Sequence, residues 1–142
     1  LLGGQGQQQC LDSIPVRVSV KCRIAVFDQY ESSDLLRPLN ETHYTLLKKY
    51  ISTIYQAGGQ HIILHARPAI LSGLSPVKNR SVPTLDYEFV KRIASDSDFE
   101  KTDLEFTVNG GITSFSQLQA LLQDKSSTIS SFMAGRWCLR RP

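Results

Sequence analysis

The chain has 142 residues and a net charge of +3, enough for one ordinary globular domain and too weakly basic to require or exclude a nucleic-acid partner. Its 41% hydrophobic and 20% charged residues rule out bulk disorder, and no apolar run nears the roughly 20 residues that cross a bilayer. Cys10, Cys22 and Cys138 form neither an even disulfide framework nor a metal-ligand spacing, which points to a reducing compartment and no metal.

Residues 1–12, beginning LLGGQGQQQ, read as a flexible polar tail without the charged and apolar regions of a signal peptide. From Ser13 to Arg23, SIPVRVSVKCR alternates, with Val16, Val18 and Val20 on one side and Arg17, Ser19, Lys21 and Arg23 on the other. The alternation predicts a first strand with a basic carboxyl end, although a surface sheet alone would give the same pattern. A polar insertion, Phe27 to Thr42, follows. Leu47, Tyr50, Ile51 and Ile54 then recur at helical spacing, with Asn40 or Thr42 as N-cap and Gly58 as terminator.

Ile62, Ile63 and Leu64 are too few and too β-branched for an independent helix, so they predict a second strand that delivers His65 and Arg67 at its carboxyl end. The long loop beyond carries Arg67, Lys78 and Arg80 with few acids, the composition of a binding loop for an anion. Asp86 caps a short helix with the stripe Phe89, Val90, Ile93, and Leu104, Phe106 and Val108 form a third strand that ends in Asn109-Gly110-Gly111. Ser114-x-x-Gln117 is a capping-box pattern before Phe115, Leu118, Leu121 and Leu122. Thr128 to Ala134 is the fourth strand and runs into Gly135-Arg136.

The order βαβαβαβ implies parallel strands joined by right-handed crossovers, so all four carboxyl ends share one face. Lys21, Arg23, His65, Arg67, Asn109, Gly110, Gly111, Gly135 and Arg136 gather there as an active-site rim. Ligands bind at that face in doubly wound sheets and in (β/α)8 barrels, and no G-x-G-x-x-G follows the first strand to support the former. In barrels a phosphate commonly sits on the last two βα loops, a role that suits the two glycine elements together, although either alone reads more readily as an ordinary turn. A barrel takes about 250 residues and eight strands. The fold class expected is therefore α/β, a partial (β/α)8 TIM barrel made of strands 5 to 8 with their helices. Residues 13–142 would form its carboxyl half, and an open half with two sheet edges implies a missing amino half.

The segments IPVRVSVKCRI, HIILHARPAILSGLSPVKNR, VPTLDYEFV, FTVNGGI and FMAGR, in that order, resemble the carboxyl half of the flavin barrel of tRNA-dihydrouridine synthases, closest to the A subfamily, from Ile14 to Pro142. The resemblance implies an FMN enzyme, with NADPH as reductant, that reduces the C5=C6 bond of particular tRNA D-loop uridines to 5,6-dihydrouridine. It implies a cytoplasmic or organellar protein with tRNA as partner and no membrane or metal. Lys21 matches the lysine against the flavin ring, where a cation favours the anionic reduced form. His65 matches a histidine that touches the cofactor; a lone strand-end histidine would otherwise read as structural. Asn109, Gly110, Gly111, Gly135 and Arg136 match the elements that hold the FMN phosphate, and Arg67, Lys78 and Arg80 fall on basic positions near tRNA.

The family's proton-donating cysteine belongs to an N-x-GCP motif on the fourth strand, absent from this sequence, so no catalytic residue is assigned and the chain is expected to be inactive alone. Cys22, next to Lys21, should face the helices as a buried thiol. Val77 stands where the A subfamily has lysine, which bears on the choice of uridine, and the helical tRNA-binding domain expected to follow lies outside the sequence. Two alternatives remain: another FMN-dependent TIM-barrel oxidoreductase, against which the LSGLSP loop argues, and a non-catalytic RNA-binding or assembly half barrel.

Overall fold

The computed structural model describes residues 17–29, 38–123 and 128–140. The polar tail, residues 13–16 of the expected first strand and most of the insertion after Phe27 lie outside them. Four strands, β1 (Ser19–Arg23), β3 (His61–His65), β5 (Glu105–Asn109) and β6 (Ile129–Met133), form one sheet in the order β1-β3-β5-β6, with every pair parallel. Each new strand is added on the same side of the last. The order has no reversal of the kind that marks a doubly wound sheet.

The helices α1 (Glu41–Gln56) and α2 (Tyr87–Ala94) pack on one face of this sheet. Their Leu47, Ile51, Phe89, Val90 and Ile93 join Ile62, Leu64, Phe106 and Val108 in a single core, as the two-residue period of the strands and the helical stripe require. Tyr50 is a correction: it is half exposed, because the stripe of α1 runs through Tyr44, Leu47, Ile51 and Ile54. Asn40 is the N-cap, its side chain accepting from the N–H groups of Thr42 and His43 at 3.1 and 3.2 Å, while His43 Nδ1 accepts from Asn40 N–H at 3.1 Å. Gly58, at φ +92°, ends the helix in the left-handed conformation that glycine adopts at little cost.

In β6, Ile129 pairs with Phe106 and Phe132 with Val108, although they are three residues apart rather than two or four. A bulge at Ser130 absorbs the extra residue, with its hydroxyl donating to Phe106 O at 2.9 Å. Both apolar side chains thereby pack against the core. Cys22 packs there too, and burial pushes its thiol up to about 11. The helix α3 (Phe115–Leu122) starts at Ser114, whose side chain accepts from Gln117 N–H at 3.2 Å, but the Gln117 amide accepts from Thr113 N–H rather than from the cap. Contrary to the stripe expected of it, α3 has no buried residue, and Phe115 is three-quarters exposed.

The sequence reading missed two further strands and one helix. β1 and β3 bend after their last residues, and the chain resumes as β2 (Val26–Gln29) and β4 (Ala69–Ser72), a second parallel pair. The insertion and the long loop therefore both begin as strand. The helix α4 (Gly135–Arg140) follows β6 within two residues.

Candidate functional site

The carboxyl ends of β1, β3, β5 and β6 border a cleft of about 1100 Å³. Lys21, His65, Arg67, Arg80, Asn109, Gly110, Gly111, Gly135 and Arg136 all line it, together with Val77, Ser81, Leu85, Ile112, Thr113, Met133, Ala134 and Trp137. Of the residues singled out in the sequence, Arg23 and Lys78 do not, Arg23 because its guanidinium is turned to loop carbonyls. Lys78 opens a short 3-10 turn, Lys78–Arg80, and is exposed.

The loop that carries Arg80 is held from the strand ends. Arg23 donates to Pro68 O at 3.1 Å and to Asn79 O at 3.2 Å. Asn79 treats Ile70 as a strand neighbour, its amide oxygen accepting from Ile70 N–H at 3.1 Å and its amide nitrogen donating to Ile70 O. Arg67 donates through Nη1 to Ser81 O and Pro83 O. Part of its guanidinium is thus committed to the loop backbone, while its buried Nε has no partner among the described residues. Burial first, with neighbouring cations adding to it, lowers the pKa of Lys21, Arg23 and Arg67 below their ordinary values.

His65 sits at the centre of this charge, 8% exposed, with Nε2 buried and without a hydrogen-bond partner among the described residues. Burial, followed by Arg23, Lys21, Arg67 and Arg136, lowers its pKa to about 4. The imidazole is neutral at pH 7. Gly110 and Gly111, at φ +108° and +70°, wrap the turn after β5 against it. A Cβ on Gly110 would stand 2.5 Å from His65 Cδ2, and one on Gly111 would overlap Leu85 Cδ1. Asn109 has a structural task, its amide donating to Met133 O at 2.8 Å and tying the ends of β5 and β6 together.

Among the described residues no carboxylate lines the cleft, while Lys21, Arg67, Arg80 and Arg136 do. Such a site, with glycine-rich backbone at its floor, is suited to a phosphate or a phosphate-bearing ring compound. Sequence reasoning missed Leu85, Tyr87 and Asn79. Tyr87 and Leu85 lie in VPTLDYEFV, whose apolar spacing reads only as the start of a helix, and a side chain that imitates strand pairing, as Asn79 does, leaves no periodic signal.

A protein-family model described as Dihydrouridine synthase (Dus) matches residues 7–142. A tRNA-dihydrouridine(20/20a) synthase of Pasteurella multocida is 35% identical over 130 residues, covering 92% of this chain and 33% of the relative. One of Shewanella oneidensis is 34% identical over 138 residues, 94% of this chain and 35% of the relative. One of Escherichia coli is 34% identical over 132 residues, 92% and 34% respectively. The chain spans about a third of the length of the curated relatives it matches.

Proposed function

The chain belongs to the dihydrouridine synthase family, and on that premise we propose that it forms strands 5 to 8 of the (β/α)8 barrel of a tRNA-dihydrouridine synthase. Residues 13–142 are the carboxyl half of that barrel, and the open face of the sheet meets an amino half supplied by further sequence. The protein acts in the cytoplasm or an organelle; no helix among the described residues is long and apolar enough to cross a membrane.

The cleft fits FMN on three counts. Nε2 of His65 is buried and unpartnered among the described residues, beyond its own helix turn no described atom lies within 4 Å of where a Cβ on Gly135 would stand, and among the described residues no carboxylate faces the lining cations. Bound there, FMN would supply two-electron reduction of the uracil C5=C6 bond, with NADPH as the source of electrons. Lys21 holds positive charge against the ring system. His65 offers Nε2 to the cofactor. Gly110, Gly111, Gly135 and Arg136 hold the phosphate, and Asn109 keeps the two phosphate-binding turns in register through Met133 O. Arg80, exposed Lys78 and the part of Arg67 not bound to the loop neutralise RNA phosphates. Among the described residues no cysteine lines the cleft, and on this reading the proton for the second uracil carbon comes from a group that these residues do not supply.

The observation that carries the reading is that all the singled-out residues but Arg23 and Lys78 line one cleft. Expressed with the sequence that flanks it in its gene, the protein is expected to oxidise NADPH in the presence of unmodified tRNA and to form dihydrouridine, detected by mass spectrometry of the digested RNA. Lys21→Ala should lower that rate by roughly 100-fold or more. Salt-dependent tRNA binding without flavin or dihydrouridine would instead favour a non-catalytic RNA-binding half barrel.

A further inference from the structure

The turn after β5 meets the start of α2 at Tyr87. Two bonds place that residue: the Asp86 carboxylate caps α2 by accepting from Phe89 N–H at 2.8 Å, and Asp86 N–H donates to Ala66 O at 2.8 Å. From this anchored position the Tyr87 hydroxyl donates to Gly110 O at 2.7 Å. A Cβ on Gly111 would lie 2.8 Å from the same hydroxyl, so the phenol stands beside both residues of the turn.

Carbonyl and N–H of a trans peptide point in opposite directions. Holding Gly110 O toward Tyr87 therefore turns Gly111 N–H away from it. Two adjacent glycines at positive φ have no Cβ to resist a flip of the peptide between them, since glycine tolerates either orientation. Some other group must select one, and the Tyr87 hydroxyl is the group bonded to that peptide. Burial raises the pKa of Tyr87, with Arg67 opposing, so the hydroxyl remains a donor at neutral pH.

We propose that Tyr87 is a positioning residue for a phosphate-bearing ligand: its hydrogen bond to Gly110 O locks the Gly110–Gly111 peptide so that Gly111 N–H is presented to the phosphate. The inference rests on the proposed flavin site for the source of that phosphate. FMN and riboflavin share one ring system and differ in the phosphate, so titrating the full chain with each, followed by flavin fluorescence, isolates the phosphate subsite. Tyr87→Phe keeps the ring and removes the hydroxyl. It is expected to weaken FMN about tenfold, equivalent to about 1.4 kcal/mol, and to leave riboflavin within about twofold.

Unchanged FMN affinity, or equal losses of FMN and riboflavin, would overturn the role of Tyr87 while leaving the flavin site standing. A wild-type chain that binds riboflavin as tightly as FMN would remove the phosphate subsite and both proposals with it. Leu85→Val gives a second reading that does not depend on the folding of Tyr87→Phe. It loosens the wall beside the turn but keeps the hydroxyl, so the preference for FMN should persist; its loss would assign the orientation to packing and overturn the proposal.

Discussion

Gly110→Ala is expected to abolish flavin binding and to destabilise the fold by about 2–6 kcal/mol, two effects with one cause. At φ +108° the backbone lies where residues with a side chain rarely go, a cost of roughly 1–3 kcal/mol. The new methyl would also stand 2.5 Å from His65 Cδ2, 2.8 Å from Nε2 and 3.3 Å from Leu85 Cδ2. His65 is 8% exposed and has little room to yield, so overpacking adds roughly 1–3 kcal/mol. If the ring does move, it leaves the position in which Nε2 faces the ligand. Gly135→Ala provides the contrast: no atom lies within 4 Å of its Cβ, so its melting temperature should match the wild type. Any loss of FMN there reports space that the ligand needs. Thermal denaturation with and without FMN checks both, and a Gly110→Ala chain as stable as the wild type would contradict the described turn.

The second large effect is acid sensitivity. His65 has its pKa lowered to about 4 in the folded chain, against about 6.5 for an unfolded histidine. Between these values the unfolded chain takes up a proton that the folded chain does not, so stability falls as pH drops. The contribution is fully present above about pH 6.5 and is gone below about pH 4. Its size is on the order of 2 kcal/mol, allowing for solvent that reaches the ring through the cleft. Urea unfolding at pH 7 and pH 4.5 should show the loss, and His65→Gln should flatten the profile while lowering stability at neutral pH. A profile unchanged by that substitution would place the sensitivity elsewhere.

Lys21, His65 and Gly110 were legible because a strand's period and its carboxyl end can be read locally. Once four strands run parallel, the residues that end them share a face whatever the loops do. The core stripe of α2 and the caps at Asn40, Asp86 and Ser114 were legible for the same reason, since each depends on neighbours within four residues. Tyr50 was misplaced because a helical stripe has a width, and only packing decides which apolar residue falls on its rim. The strands β2 and β4 were missed because each has only four residues and depends on a partner more than forty positions away. Arg23 and Arg67 illustrate the limit for function. Sequence identifies a cation at the rim but not whether its guanidinium is spent on loop carbonyls, as at Pro68 O and Pro83 O. Tyr87 was hidden altogether, because its partner is a backbone carbonyl 23 residues away.

The most direct test of the cleft as a flavin site is to titrate the ¹⁵N-labelled chain with FMN and follow its amide resonances. Saturable shifts at Gly110, Gly111, Gly135 and Arg136, reaching their end at one equivalent and leaving the exposed face of α1 unmoved, are expected. Shifts that centre elsewhere, or none at concentrations where tRNA binds, would contradict the assignment of this cleft to FMN.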